Sequence, residues 1–449
     1  MIEIEGIVFR AQYARGRGET EYTITNGSGE YTFLSRESIP PGSCMRIEGE
    51  MDEQLRIIPK KIATLGQEEA RKVYGVVETK IKSSFALPEK PQLLADDETM
   101  QKLWPSLREV AAELLCAKKL RRSVLLRFHG DADGICGAFA LTGIINCKAY
   151  QQNSAIYGVR DALRDIGTVG QENRPMVILL DFGSNDASAE GLGLLRAAGI
   201  RCILIDHHPL GSNPPPETLS PFRFAEKASK YTAGYLACEI AAACGMNMGE
   251  AAALAKAACA GDKSDILPHD GDDVKKAMVL DFLASHVSFG NNLDFYKNVM
   301  AKEELFASIA NQAEESIEEA AQKAMAGMKR VESGKLETAV FSLGKVVKRG
   351  EWPPSSKVTT RIYDKLRQER GDKPLICIGY TEHSIIMRLN DDAVTLGLSA
   401  NGLAEKLKAT MADFVEGGGG HVKAGAIRVK KGFVKEVVNE LVREIGGSG

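Results

Sequence analysis

Three short apolar runs, Ser123–Phe128, Met176–Leu180 and Ile200–Ile205, each give way at once to an acid or an imidazole. Runs of this length that lack a polar alternation read as strands buried on both faces, and helix-type stretches follow them. This predicts an α/β fold built on a parallel, doubly wound sheet. In such a sheet all strand C-termini lie along one edge, and sites form in the crevice there. His129, Asp131 and Asp133 follow the first run, Asp181 the second, and Asp206, His207 and His208 the third. The edge therefore collects several carboxylates and imidazoles. Carboxylates so close repel, and one would be forced to protonate. Cations relieve this: mixed His and Asp donors suit Mn²⁺ or Zn²⁺, and oxygen-rich sets suit Mg²⁺ or Mn²⁺. Two ions about 3.5–4 Å apart, sharing one carboxylate, can clamp a phosphoryl group for in-line attack by water. Taken singly, each residue has a plainer explanation, as a helix N-cap, a hydrogen-bonded histidine or a turn. Their common placement at strand ends points to a metal centre.

The chain has 449 residues, which predicts two or three domains. Its net charge of −3 gives no global signal for a polyanionic partner, so any nucleic-acid surface must be local. Nine cysteines without a Cys-x-x-Cys pair read as buried thiols in a reducing, cytoplasmic compartment. The N-terminus has no signal-type stretch, and no apolar run is long enough for a membrane span. Residues 1–66 carry strand patterns at Ile2–Phe9, Tyr22–Thr25, Tyr31–Leu34, Cys44–Met51 and Leu55–Ile58, with an Asn26-Gly27 hairpin signal. This predicts a small β-barrel of oligonucleotide-binding type. Residues 67–118 read as a helical linker broken at Leu87–Pro91, 119–295 as the α/β domain and 296–332 as a connecting helix. Residues 333–446 read as a second, smaller α/β domain. Its strands are expected at Thr338–Leu343, Leu375–Tyr380 and Ile385–Arg388, with a helix at Leu403–Phe414.

Four separated motifs stand in order: His129-x-Asp131-x-Asp133-Gly134, Asp181 at a strand end, Asp206-His207-His208, and Gly417-Gly418-Gly419-Gly420-His421. Over about residues 120–430 the chain resembles the DHH phosphoesterase superfamily, and within it the RecJ-like single-strand exonucleases. The expected barrel resembles that of archaeal-type relatives. The resemblance implies that His129, Asp131 and Asp181 hold one divalent ion, and that Asp133, Asp181 and His207 hold a second, with Asp181 bridging. It implies that His208 faces the scissile phosphate and that Asp206 orients an imidazole or a ligand loop. A fourth motif lies in Gly261–Pro268, where the spacing favours Asp265 as ligand over the competing Asp262. His421 with Gly418, Gly419 and Gly420 would bind substrate phosphate, since glycines let backbone amides approach closely. Arg388 would grip the same group.

The implied activity is exonucleolytic hydrolysis of single-stranded DNA or RNA to nucleoside monophosphates with two Mn²⁺ (or Mg²⁺) ions. Replication or repair proteins are the expected partners. The rival readings are a phosphodiesterase for short oligonucleotides or cyclic dinucleotides, and a replication scaffold. Lys60-Lys61, Lys118-Lys119 with Arg121-Arg122, and Lys430-Lys431 are candidate backbone contacts. Phe9, Tyr13, Tyr22, Tyr31 and Phe33 are candidates for stacking on bases, with several expected in the core instead.

Overall fold

The computed structural model describes residues 1–14, 18–54, 56–92, 97–170, 172–215, 218–225, 228–286, 293–348, 350–371, 373–420 and 422–446. They form two compact units, one of residues 1–284 with 288–298, the other of residues 285–287 with 299–449. No described helix is long and apolar enough to cross a membrane.

In the first unit, β1 (Ile2–Ala14), β2 (Glu19–Thr25), β3 (Glu30–Ser35), β4 (Cys44–Met51) and β5 (Arg56–Thr64) close into the expected barrel, in the order β1-β2-β3-β5-β4. Leu55 lies outside the described residues. The β2–β3 hairpin turns at Gly27, whose φ of +86° is readily adopted by glycine. Inside, Tyr22 stacks on Phe33 at 5.5 Å among Val8, Ile24, Met45 and Ile47. Phe9 is buried and Tyr31 packs on the core, so of the five aromatics only Tyr13 is largely exposed, at 65%. Lys60 and Lys61 pair with Glu50 and Glu48 on the neighbouring β4, so this basic pair is neutralised across the strands.

Next come α1 (Gln67–Ser83) and α2 (Glu98–Lys119), which pack against the barrel through Tyr74, Val77, Ile81, Cys116 and Leu120. The Lys118–Arg122 run is absorbed in part here, with Lys118 and Arg121 left exposed. Arg122 is buried and pairs with Glu78 and Glu113, and Lys119 lies 3.6 Å from Glu30. An unpaired buried Glu113 would be costly, so Arg122 serves the interior rather than a ligand.

The catalytic-type domain runs β6 (Val124–His129), α3 (Ala132–Ile144), β7 (Lys148–Gln152), α4 (Val159–Val169), β8 (Met176–Leu180), α5 (Ala189–Ala197), β9 (Arg201–Ile205), β10 (Thr218–Leu219), α6 (Ala233–Ala243), α7 (Met248–Gly261), α8 (Gly271–His286) and α9 (Leu293–Met300). The sheet is parallel, in the order β10-β9-β8-β6-β7. From β6 the chain goes outward to β7 and then returns to β8 on the other side, so β6 and β8 flank a topological switch point. Every residue of β8 is buried, each large apolar side chain contributing roughly 1.5–3 kcal/mol. One face packs on α4 and α5 through Leu125, Leu179, Ala162 and Leu195. The α3 helix is rich in Gly and Ala and buried almost all round, as a helix without a polar face must be. The sequence does not announce β7, an edge strand that carries Lys148, Gln151 and Gln152.

The second unit comprises α10 (Glu303–Met325), β11 (Lys329–Ser333), β12 (Leu336–Ser342), α11 (Ser355–Arg370), β13 (Leu375–Tyr380), β14 (Ser384–Leu389), α12 (Asp391–Thr395), α13 (Ala400–Thr410), β15 (Val415–Gly420), β16 (Ala424–Val429) and α14 (Val434–Gly446). The sheet order is β11-β12-β13-β14-β16-β15. The connecting helix, expected over residues 296–332, runs as α10 only from Glu303 to Met325, because Lys329 opens β11. Gly417–Gly420, expected as a loop, instead form an edge strand antiparallel to β16. A Cβ on Gly420 would lie 2.3 Å from Ala424 O, so the strand pairing itself demands glycine there.

Candidate metal centre

The ends of β6, β8 and β9 deliver the expected side chains to one place. After β6, Asp131 caps α3: its Oδ1 accepts from the Gly134 amide at 3.0 Å. Its Oδ2 lies 2.6 Å from His129 Nδ1, so one carboxylate acts as both helix cap and partner of the imidazole. Asp133, two residues on, is buried, and its oxygens accept from the Ala233 and Gly234 amides at 2.9 and 3.0 Å. These are the first amides of α6, whose positive end favours an anion. A Cβ on Gly234 would meet Asp133 O at 2.4 Å and Oδ1 at 2.8 Å. Gly234→Ala should therefore displace Asp133 and lower metal-dependent turnover on the order of 10²-fold with the fold retained by circular dichroism. Unchanged turnover would show that Asp133 does not need this seat.

Asp181 follows β8 with φ +68°, a left-handed conformation uncommon outside glycine. Its amide donates to Ile205 O at 2.8 Å, which fixes the turn. The carboxylate is buried, and its two oxygens face different neighbours. Oδ2 lies 3.5 Å from His129 Nδ1, and Oδ1 lies 3.3 Å from His207 Nε2 and 3.8 Å from His208 Nδ1. Oδ1 is enclosed and receives no well-directed hydrogen bond among the described residues. A buried, unsatisfied carboxylate oxygen between imidazoles is what a cation would repair.

After β9, His207 Nδ1 donates to Ser229 O at 2.9 Å, which turns the Nε2 lone pair inward. Nε2 lies 3.1 Å from Asp262 Oδ2, 3.3 Å from Asp181 Oδ1 and 3.9 Å from Asp133 Oδ2. Three overlapping donor groups result among the described residues, His129–Asp131–Asp181, Asp181–His207–His208 and Asp133–His207–Asp262, and Asp181 belongs to the first two. Asp206 is buried outside them. Its oxygens accept from Ser184 N and from His208 N and Nδ1, and although burial opposes ionisation these bonds bring its pKa down to about 2. His208 is half exposed, with Nδ1 tied to Asp206 and the other nitrogen free to face a ligand.

The structure brings Asp262, not Asp265, to His207. Asp262 is the C-cap of α7 and stays in phase with the helix. Lys263 then turns left-handed at φ +56°, Ser264 N bonds back to Cys259 O, and the chain leaves the centre with Asp265 exposed. One further carboxylate carried no sequence signal: Asp281 of α8 accepts from the Ala132 amide at 2.8 Å and so helps seat the first turn of α3.

The electrostatics are those of a centre short of positive charge. Burial, then the neighbouring Asp181 and Asp262, push Asp133 well above the carboxylate range, and burial with Asp131 raises Asp181. Burial disfavours the imidazolium forms of His129 and His207. Asp131 outweighs it at His129, Asp181 and Asp262 at His207, and both pKa values rise above the ordinary 6.5. Protonated histidines here thus stabilise the ion-free fold below pH 6.5, and this is lost as pH rises through the raised values. The raised carboxylates act in the same direction. Ligation needs deprotonated donors, so it strengthens over that interval. A fixed concentration of Mn²⁺, about 100 times its Kd at pH 8, should raise the first unit's Tm by roughly 5–10 °C near pH 8 and by less near pH 6. A shift independent of pH would contradict the assignment.

In the second unit, Arg388 Nε donates to Thr360 Oγ1 at 3.1 Å, and burial lowers its pKa. Arg388 pairs in register with Ala424, next to the Gly420–Gly425 pair, so Arg388 and the glycine strand share one end of the sheet. His421 lies outside the described residues. Lys430 and Lys431 are exposed.

Residues 123–261 match the DHH family, N-terminal domain. A curated protein of Methanocaldococcus jannaschii, itself uncharacterised, is 23% identical over 99% of this chain and 68% of its own length. Among solved structures, one described as the DHH domain of a member of a family of ribosomal proteins superposes with a TM-score of 0.70. It is 22% identical and covers 85% of this chain and 99% of that one. RecJ of Thermus thermophilus in complex with Mn²⁺ superposes with a TM-score of 0.50 at 16% identity, over 80% of this chain and 56% of that one.

Proposed function

From the match of residues 123–261 to the DHH family, N-terminal domain and the fold shared with RecJ, we propose that the chain is a metal-dependent phosphoesterase, and more closely an exonuclease releasing nucleoside monophosphates from single-stranded nucleic acid. The observation that carries this reading is the placement of Asp181, one oxygen toward each of two His/Asp donor groups. We assign His129, Asp131 and Asp181 to one divalent ion and Asp133, Asp181, His207 and Asp262 to the other, with Mn²⁺, the ion held by the similar RecJ, as the first choice. When bound, two such ions would supply the charge that stabilises a pentavalent phosphate and the acidity that readies water for in-line attack.

The chain's own groups do the rest. The α6 amides hold the Asp133 carboxyl group aimed at the centre. Asp206 fixes the His208 ring, and its hydrogen bond outweighs partial burial to raise the His208 pKa, so the imidazolium is available to donate to a phosphate oxygen. In the second unit, Arg388, Gly418, Gly419, Gly420 and His421 are assigned to the substrate's phosphates. The N-terminal barrel favours a strand over a dinucleotide substrate, because five-stranded barrels of this kind bind extended chains. A length series of labelled strands tests this. Full-length strands should shorten to mononucleotides, whereas consumption of dinucleotides alone would favour a phosphodiesterase for short substrates. Co-purification of replication or repair proteins with an inactive chain would favour a scaffold.

A further inference from the structure

Resting on the two-ion reading, we propose that Asp97 and Tyr231 form a latch that positions the His207–Asp262 half of the centre. Three consecutive residues ahead of α6 each make one connection. Ser229 O holds His207 Nδ1 at 2.9 Å. Lys230 O accepts from Ser264 Oγ, in the turn that ends α7 and carries Asp262. Tyr231, 2% exposed, donates its hydroxyl to Asp97 Oδ2 at 2.5 Å, and Lys230 Nζ lies 3.4 Å from the same oxygen.

Asp97 is the N-cap of α2, with Oδ1 accepting from Met100 N at 2.8 Å. It stands outside the DHH-matched residues 123–261, on a helix that packs with α1 against the barrel. The strap 229–231 is thus anchored at one point by the N-terminal part of the chain. It sets both the ring orientation of His207 and the turn that presents Asp262. His129 and Asp131 are placed separately, by α3 capping and, through the Ala132 amide, by Asp281. Groups that orient metal ligands typically change affinity about 10–100-fold when removed. Here the loss should fall on one ion.

The test is calorimetric titration of the ion-free full-length chain with Mn²⁺. Wild type should bind two ions. Tyr231→Phe keeps the buried ring and removes only the hydroxyl, and should weaken one ion about tenfold or more while leaving the other within about twofold. Asp97→Asn keeps a capping oxygen and serves as the second variant should the first not fold. In a His129→Ala background the latch variant should weaken the remaining ion, and in an Asp262→Ala background it should not. Two ions of unchanged affinity in the latch variants, or equal weakening of both, would overturn the latch. Fewer than two ions in wild type would overturn the two-ion reading itself, and the latch with it.

Discussion

Asp181→Asn is expected to abolish Mn²⁺-dependent phosphodiester hydrolysis, by a factor on the order of 10³ or more, in a protein that folds at least as well as wild type. Asparagine is the right probe because position 181 has φ +68°, which Asn tolerates far better than Ala. It keeps the shape of the side chain and removes the charge that two donor groups share. Asp181 is buried beside Asp131, and its pKa is raised by burial and by that neighbour. Neutralising it should therefore relieve repulsion in the ion-free state, and the Tm without Mn²⁺ should hold or rise. Added Mn²⁺ should then stabilise the variant less than wild type. Near-normal turnover would end the two-ion reading.

The second large effect is a contrast. Asp262→Ala should lower turnover by at least on the order of 10²-fold, because it removes the carboxylate 3.1 Å from His207 Nε2. Asp265→Ala, three residues on and exposed, should leave turnover within about twofold. Steady-state kinetics on both variants at saturating Mn²⁺ decide the matter, and the reverse ranking would restore Asp265 as the ligand.

That contrast also shows where sequence reasoning stops. The three buried strands are legible because a strand covered on both faces carries an unbroken apolar run, and placing acids at their ends follows from parallel topology. Asp131 is legible as a helix cap and as a candidate ligand, and its two oxygens divide between the cap and His129. The choice of Asp262 over Asp265 is not legible, because it depends on where α7 ends. That end is a left-handed Lys263 rather than the glycine that usually marks a helix stop. Asp281 reaches Ala132 across 149 positions, and no local pattern encodes such a contact. The glycine run hides its strand because it has no side chains to alternate. The basic pair at Lys60 and Lys61 reads as a surface for polyanions until β4 brings Glu48 and Glu50 beside it.

The most direct test of the central claim is digestion of 5′- and 3′-labelled single strands of DNA and RNA by the full-length chain, with Mn²⁺, with Mg²⁺ and with chelator. The account predicts stepwise release of nucleoside monophosphates from one end with Mn²⁺, and none with chelator. Cleavage indifferent to chelator, or intact strands with every divalent ion, would contradict it.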